Sequence, residues 1–462
     1  MNNSVVILYY CGEQAYIPMQ ELCVAEELSQ LGEKVKILPV LEQDDLSDII
    51  ANAEAEADVV ISWMHRPYVT AQHFPRFAEL ARRIHRAHYC GGIFATMLGD
   101  ELCEAIPDLK GVFKGYNLGD IAQTLRMNPL PEGVIEVPGH IELSKYELNF
   151  DFIRNIEKLY GLKIRGYMTS FSCPNNCYYC FNNILKKYGM AYTSRTLEQA
   201  KDDILRLRRL LGSSEVAVKD LNFFHSDFAL KLLHFLKKEG IEFVGNLDVT
   251  LTDLNESLVC ELSEELEVRE LFFGLESFHH QTLHRFNKNE PLEKLDDMIE
   301  WLPKYNIRLH GIVLFGFPWQ TLESLRAEVE TALKYMSSAP NLLIRFSPYM
   351  PLPMSELQQK YFPSYFENKD VFEKIRFFDT SKYNERNFIY GNELDQVDSH
   401  LFSLVSRNML LLKETLNKRR GMKYLVARLL GGLYARQMAR LHFNWMTRAA
   451  NYVLYTYEKM KA

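Results

Sequence analysis

The stretch Cys173-Pro174-Asn175-Asn176-Cys177-Tyr178-Tyr179-Cys180 places three cysteines in a C-x₃-C-x₂-C spacing. It directly follows a candidate strand, 165–171, so the cysteines are expected on a loop at the carboxyl end of that strand. Three thiolates so close together can bind a soft metal centre. An iron–sulfur cubane normally takes four thiolates, so three would leave one iron with an open coordination position. The spacing therefore predicts Cys173, Cys177 and Cys180 as metal ligands of a catalytic centre.

The other five cysteines, at positions 11, 23, 90, 103 and 260, are scattered and read as small core residues. A disulfide scaffold is not expected for a long chain without an export signal. Two alternatives remain open for the clustered three. They could be buried structural cysteines, or they could hold a structural zinc, which would want a fourth Cys or His at matching spacing.

A regular alternation of strand and helix patterns continues from the cysteine motif towards the C-terminus. Helical segments separate six apolar runs of strand type: 165–171, 215–224, 241–249, 268–275, 307–315 and 342–349. Six strand–helix repeats predict a partial (β/α)6 barrel, similar to a TIM barrel, over residues 164–355. Side chains at the carboxyl ends of its strands are expected to carry the chemistry.

Five motifs in this region resemble those of the radical S-adenosylmethionine (SAM) superfamily. The cysteine spacing, with Tyr179 before the last cysteine, is similar to that family's signature. The other four motifs follow in barrel order: Leu221–Phe228, Phe273–Ser277, Phe315–Thr321 and Pro348–Ser355. His225 and Ser226 stand where the cobalamin-type branch usually carries acidic residues, and the usual P-G-T reads Pro353-Met354-Ser355.

This resemblance implies a cofactor set. Cys173, Cys177 and Cys180 would hold a 4Fe–4S cluster whose open iron binds the amino and carboxylate groups of SAM. An electron from the reduced cluster would cleave SAM to a 5′-deoxyadenosyl radical. The implied SAM contacts are Tyr179, His225, Ser226, Glu276 and Gly316.

Each of these side chains also has a plainer interpretation. Glu276 could form a salt bridge at the barrel mouth, and His225 could be a core histidine with its hydrogen bonds satisfied. His280 and His284 share one helix face with metal-binding spacing, although an exposed helix face explains them equally.

Residues 1–140 show a second alternation of strands and helices. The strand-type runs are 5–10, 35–40, 58–62, 88–92 and 111–115. The pattern predicts an α/β, doubly wound (Rossmann-like) parallel sheet, with a ligand edge formed by the loops after Ile61, Tyr89 and Phe113.

Three segments at that edge, Asp58–Met64, Cys90–Thr96 and Gly115–Asp120, resemble the cobalamin-binding domain that precedes many radical SAM barrels. Phe94 replaces a histidine of that family, and the D-x-H-x-x-G motif that supplies an axial histidine to cobalt is absent. The alternative is a domain that keeps the fold without the ligand. The implied cobalamin contacts are Ser62, Trp63, Met64, His65, Gly91, Gly92, Thr96 and Gly115.

The remaining segments are a polar linker, 141–163, and a predicted helical C-terminal cap or substrate domain, 356–462. From Lys418 to Ala462 there are ten Lys and Arg but one acid, Glu458. This tail either packs on the barrel through its aromatic residues or offers a basic surface to an anionic substrate, partner or membrane surface.

Composition narrows the functional classes. The 462 residues carry a net charge of −7, so no global basic field indicates nucleic acid. No apolar run approaches ~18 residues, so no transmembrane helix is expected. Because no basic segment precedes the first apolar run, we expect a strand rather than a signal peptide, and a cytoplasmic location. The expected partners are a small-molecule substrate and an electron donor such as flavodoxin or ferredoxin.

The leading hypothesis is a cobalamin-dependent radical SAM enzyme that methylates an unactivated carbon of a small-molecule biosynthetic intermediate. Radical SAM cyclisation, ring contraction or rearrangement without methyl transfer is the first alternative. A methylthiotransferase would need three further cluster cysteines in the N-terminal domain. The last alternative is a non-enzymatic iron–sulfur scaffold.

Overall fold

The computed structural model divides the chain into two compact units. The first unit contains Met1–Gly245 and Leu352–Ser381, and the second contains Asn246–Pro351 and Lys382–Ala462. The structure describes residues 3–11, 16–64, 67–156, 164–226, 228–244 and 247–378, together with 394, 397, 402, 405–406 and 433–441.

Six parallel strands form the N-terminal sheet of the first unit in the order β2-β1-β3-β4-β5-β6. Their bounds are β1 Ser4–Tyr10, β2 Lys34–Val40, β3 Val59–Met64, β4 Ala87–Gly92, β5 Gly111–Gly115 and β6 Gly133–Val137. The predicted doubly wound sheet is confirmed. The sequence pattern missed β6 because this edge strand is mostly half-exposed and lacks a continuous apolar run. The strand order changes direction between β1 and β3, where such sheets usually bind ligands.

The helices of this sheet explain its apolar strands. They are Met19–Gln30, Leu46–Glu56, Pro67–Arg83, Ile93–Ala105 and Leu118–Thr124. A central strand of such a sheet is buried on both sides, and all six positions of β3 are buried.

Residues 141–156 pack as part of the first unit rather than as a loose linker. They contain two short 3₁₀ turns, Leu143–Lys145 and Phe150–Phe152. The buried Arg195 guanidinium donates to the carbonyls of Leu143 at 3.0 Å and Tyr146 at 2.5 Å, and it pairs with buried Asp203 at 2.8 Å. One buried cation thus fixes the connection to the region that follows it. Residues 157–163 lie outside the described part of the chain.

A second parallel sheet of the first unit has the order β11-β10-β7, and an antiparallel pair, β8 and β9, lies beside the cysteine motif in sequence. The bounds are β7 Ile164–Tyr167, β8 Ser170–Phe171, β9 Thr193–Ser194, β10 Glu215–Val218 and β11 Glu242–Phe243. The helices are Phe181–Lys187, Leu197–Leu211 and Ala229–Lys238. The predicted strand 215–224 ends at Val218, and Phe223–His225 is a 3₁₀ turn.

The second unit contains a parallel sheet in the order β12-β13-β14-β15. The strands are β12 Leu247–Val249, β13 Glu270–Glu276, β14 Arg308–Phe315 and β15 Leu342–Pro348. The helices are Glu256–Cys260, continued by a π-helical turn Glu261–Glu265, then His280–Arg285, Lys294–Lys304 and Leu322–Ser338. The predicted strand 241–249 is therefore divided between β11 in the first unit and β12 in the second. The predicted domain boundaries stay a prediction.

The start of the predicted C-terminal cap belongs to the first unit. Its helices Glu356–Tyr361 and Val371–Arg376 are followed by Phe378, which packs edge-on against Phe94 at 5.1 Å. Lys374 pairs with Glu101 at 2.7 Å. Residues 433–440 are helical. The rest of the predicted basic tail lies outside the described residues. Within the described part of the chain, no helix combines the length and apolar character needed to cross a membrane.

Candidate functional site

The cysteine loop, Cys173–Cys180, runs between β8 and the helix Phe181–Lys187. Ser172 turns the chain into the loop with a left-handed φ of 65°. Cys180 is the N-cap residue of the helix, and its amide donates to the Cys177 carbonyl at 3.1 Å. Cys173 and Cys180 are half-buried and Cys177 is buried, so the three thiols occupy a partly sheltered surface of the first unit.

The chemistry of the donor set indicates the kind of metal centre that it suits. Cys173, Cys177 and Cys180 are outside any disulfide and supply three thiol donors from one short loop. Soft thiolate donors suit an iron–sulfur cluster, and three of them would leave one iron of a cubane with an open coordination position. The donor set therefore fits a 4Fe–4S cluster with three protein ligands.

Asp220, which the sequence analysis did not single out, anchors the approach to the loop. Its buried carboxylate accepts from the amides of Thr169 at 2.7 Å and Ser170 at 3.2 Å, and from the Thr169 hydroxyl. Burial raises the pKa of Asp220 to about 6, although these hydrogen bonds oppose the shift. Asp220 follows β10 by two residues, so it ties the start of the cysteine loop to the neighbouring strand.

Among the predicted SAM contacts in the first unit, His225 is linked to the cysteine loop through Tyr192. The His225 ring contacts Tyr192 edge-on at 4.9 Å. Burial, then Asp220 and the Cys173 thiolate, raise the pKa of Tyr192, so Tyr192 lies near both His225 and the loop. Ser226 Oγ is buried and has no hydrogen-bond partner among the described atoms, and Tyr179 is half-buried. Their role as SAM contacts stays a prediction.

Glu276 ends β13 in the second unit with a left-handed φ of 65°. Its carboxylate accepts from the Lys288 ammonium at 3.2 Å, and Lys288 also donates to the Gly274 carbonyl and lies 3.6 Å from Glu290. A Cβ at position 274 would displace the Glu276 carboxylate, so glycine leaves room for this carboxylate beside Lys288. The salt bridge that was the plainer interpretation of Glu276 is present, and its role as a SAM contact stays a prediction.

The turn after Glu276 is held by a second buried acid, Glu328. Its carboxylate accepts from the Ser277 hydroxyl and from the Phe278 amide, the latter at 2.8 Å. Burial raises the pKa of Glu328. His280 and His284 are exposed, as expected for a solvent-facing helix.

Gly316 follows β14 with a φ of 90°, and its amide donates to the buried Gln320 side chain at 2.6 Å. The positive φ explains why glycine stands at this position. The hydrogen bond closes a tight turn whose next residues, Phe317 and Trp319, stack at 5.2 Å. Its approach to the adenine of SAM stays a prediction.

Several residues of the predicted cobalamin edge form hydrogen bonds within the protein. Ser62 Oγ, wholly buried, joins Tyr10 Oη at 2.8 Å to His88 Nε2 at 2.9 Å. Burial lowers the pKa of His88 to about 3, so this imidazole is neutral at ordinary pH. The Trp63 indole donates to Gln20 at 3.1 Å, and the Thr96 hydroxyl donates to the Gly92 carbonyl at 2.8 Å.

The three glycines of this edge are explained by close packing inside the sheet. A Cβ at Gly91 would strike the Trp63 ring, one at Gly92 the Met64 carbonyl, and one at Gly115 the Val137 carbonyl. Met64 is wholly buried, and His65 lies outside the described residues. These described residues therefore do not by themselves form a recognisable corrinoid cradle, and their role as cobalamin contacts stays a prediction.

Comparison with known proteins shows what the chain is similar to. Residues 167–332 match the model of the radical SAM superfamily. The chain is 23% identical to an uncharacterized methyltransferase of Pyrococcus horikoshii over 51% of this chain and 50% of that protein. It is 25% identical to the ribosomal protein uS12 methylthiotransferase RimO of Desulfitobacterium hafniense, over 53% of this chain and 55% of that protein. The chain thus spans about half the length of these curated relatives.

Two solved structures share the fold over most of the chain. The radical S-adenosylmethionine methyltransferase TsrM of Kitasatospora setae, solved with cobalamin and a 4Fe–4S cluster, has a TM-score of 0.59 at 15% identity, covering 79% of each chain. The cobalamin-dependent S-adenosylmethionine radical enzyme OxsB, solved with aqua-cobalamin, has a TM-score of 0.56 at 12% identity, covering 95% of this chain and 72% of that one. Residues 167–332 thus match the radical SAM superfamily, as the cysteine motif predicted, and the chain shares its fold with these two solved structures.

Proposed function

We propose that this chain is a cobalamin-dependent radical SAM methyltransferase acting on an unactivated carbon of a small-molecule intermediate. The observation that carries the proposal is the cysteine loop, in which three cysteines outside any disulfide supply thiol donors from one short stretch of chain. When bound, a reduced cluster would supply the electron that cleaves SAM. Cys173, Cys177 and Cys180 hold it, and Asp220 fixes the strand end from which the loop starts.

The cobalamin part of the proposal is supported by the fold likeness and by the strand order. The carboxyl ends of β1 and β3 flank the point where the strand order changes direction, so a large ligand would be expected there. The relatives named as methyltransferases support methyl transfer. No individual cobalamin contact is assigned.

The methylthiotransferase alternative is weaker, because three of the N-terminal cysteines are poor cluster ligands. Cys11, Cys23 and Cys90 are wholly buried, and burial raises the pKa of each thiol. A second cluster would need exposed thiolates close together.

The test is anaerobic reconstitution with iron, sulfide and cobalamin, followed by metal counts, an absorption spectrum and mass spectrometry of SAM products. We expect about four irons per chain, one cobalt, and 5′-deoxyadenosine released under a strong reductant. The Cys173→Ala, Cys177→Ala, Cys180→Ala triple variant is the control and should release none.

The outcomes separate the alternatives. Iron without cobalt would remove methyl transfer and leave the radical reaction. With a candidate substrate, a product heavier by one methylene supports methylation, whereas an isomer or a loss of two hydrogens supports cyclisation or rearrangement. Cluster binding without SAM cleavage would favour the non-enzymatic scaffold.

A further inference from the structure

Lys186 lies on the helix that follows the cysteine loop, and its side chain returns to that loop. The ammonium donates three hydrogen bonds: to the Pro174 carbonyl at 3.0 Å, the Asn175 carbonyl at 2.8 Å and the Asn176 side-chain oxygen at 2.8 Å. An ammonium has three N–H donors, so this one is saturated by three consecutive residues between the first two cysteines.

These hydrogen bonds hold the exposed middle of the cysteine loop in place. Asn175 and Asn176 are exposed, so burial does not hold them in place. The helix that carries Lys186 is itself anchored, because Ile184 and Leu185 are buried. The Lys186 side chain therefore connects this helix to Asn175 and Asn176, the exposed residues in the middle of the cysteine loop.

The same ammonium is electrostatically close to all three cysteines. Partial burial lowers the pKa of Lys186, and the thiolates of Cys173, Cys177 and Cys180 each oppose that shift. The three hydrogen bonds hold this positive charge on the same loop that carries the three thiols.

We propose that Lys186 is a positioning residue of the cluster site, which holds the loop between the first and second cysteine in the ligand-binding shape and places a positive charge beside the thiolate-ligated centre. This inference rests on the proposed cluster. Lys186 does not bind SAM or substrate in this proposal. It acts through the backbone of the loop and through its charge.

Lys187 provides a matched control. It is the adjacent lysine on the same helix, more exposed, and its ammonium lies 3.7 Å from Glu356 rather than on the loop. Lys186→Met removes both the hydrogen bonds and the charge, Lys186→Arg keeps the charge, and Lys187→Met removes a lysine from the same helix turn.

The experiment measures two properties of the reconstituted full-length protein that do not depend on turnover. The first is the rate at which a chelator removes iron. The second is the midpoint potential of the cluster, followed by electron paramagnetic resonance. We expect Lys186→Met to lose iron about ten times faster than the wild type and to show a more negative midpoint. Lys186→Arg should keep the midpoint but lose iron faster, because a planar guanidinium cannot satisfy the same three acceptors.

Lys187→Met should match the wild type in both measurements. If Lys186→Met also matches the wild type, the positioning role is wrong while the cluster proposal stands. If the wild type itself takes up no iron, the cluster proposal fails and this inference fails with it. Far-ultraviolet circular dichroism of each apoprotein tests whether the variants fold. If Lys186→Met does not fold, Lys186→Arg still tests the hydrogen bonds, because it retains the charge.

Discussion

The cysteine loop and the edge of the N-terminal sheet were both identified by short motifs, yet their residues differ in burial and in hydrogen bonding. At the sheet edge, Ser62, Trp63 and Thr96 are buried and hydrogen-bonded to other protein groups. In the loop, Cys173 and Cys180 are half-buried, and the neighbouring Lys186 and Asp220 hold the backbone. The edge residues therefore contribute to the packing of the sheet, whereas Cys173 and Cys180 of the loop remain partly exposed. Substitutions should separate these two roles in the stability of the apoprotein.

The largest effect is expected at the edge glycines. Gly115→Ala should lower the free energy of unfolding of the apoprotein by about 3 to 5 kcal/mol, because φ is 128° and the new methyl group would strike the Val137 carbonyl. Gly133→Ala is the control, since its φ is 81° but a Cβ there meets open space, and about 1 to 2 kcal/mol is expected. Chemical denaturation measures both. Equal losses would mean that crowding at the edge is not the reason for Gly115.

A smaller loss is expected from Ser62→Ala. The substitution leaves Tyr10 Oη and His88 Nε2 buried without their partner, which should cost about 1 to 3 kcal/mol of unfolding free energy. Tyr10→Phe should cost less, because Ser62 keeps its hydrogen bond to His88. If Ser62→Ala instead leaves stability unchanged and abolishes cobalamin binding, the edge would be a ligand site rather than a structural one.

The pH dependence of stability should report on His88. Burial lowers the folded-state pKa of His88 to about 3, below the unfolded value of about 6.5. The stability contributed by neutral His88 is complete above pH 6.5 and is lost as pH falls towards 3, by about 2 kcal/mol at pH 5. His88→Gln should remove this part of the slope, while His140→Gln, at an exposed position, should retain it. Urea unfolding at pH 7 and pH 5 gives the comparison, and an unchanged slope in His88→Gln would contradict it.

The smallest effect on the apoprotein is expected in the loop. Cys180→Ala should change the free energy of unfolding by less than about 1 kcal/mol, because the side chain is half-buried and the hydrogen bond that it accepts from Asn182 is long, at 3.6 Å. The same substitution should abolish cluster assembly, measured as iron and sulfide per chain. If Cys180→Ala destabilises the apoprotein as much as Gly115→Ala, the loop cysteine is as important for folding as the edge glycine, and the proposed difference between the two regions is wrong.

Sequence patterns predicted more of the fold than of the sites. The alternation of strand and helix patterns predicted parallel strands in the N-terminal region and again after residue 164, and the structure has three parallel sheets there. It missed β6, which is half-exposed, and it joined β11 and β12 into one strand because the apolar pattern continues across the boundary between the units. At the sites, the pattern found the cysteines and Glu276 but not the side chains that hold them in place.

The sequence alone predicted the cluster ligands, because three cysteines four and three positions apart are brought together by one short loop whatever the rest of the chain does. Its motifs also resembled the radical SAM superfamily, in agreement with the match over residues 167–332. Only the tertiary structure decided the surroundings. Asp220 reaches the loop from another strand and Lys288 reaches Glu276 across a turn, so local patterns cannot reveal either contact. The structure likewise explains Gly91, Gly92 and Gly115, because a Cβ at each of them would strike a neighbouring atom of the sheet. A local sequence pattern cannot show which atoms of other strands lie so close.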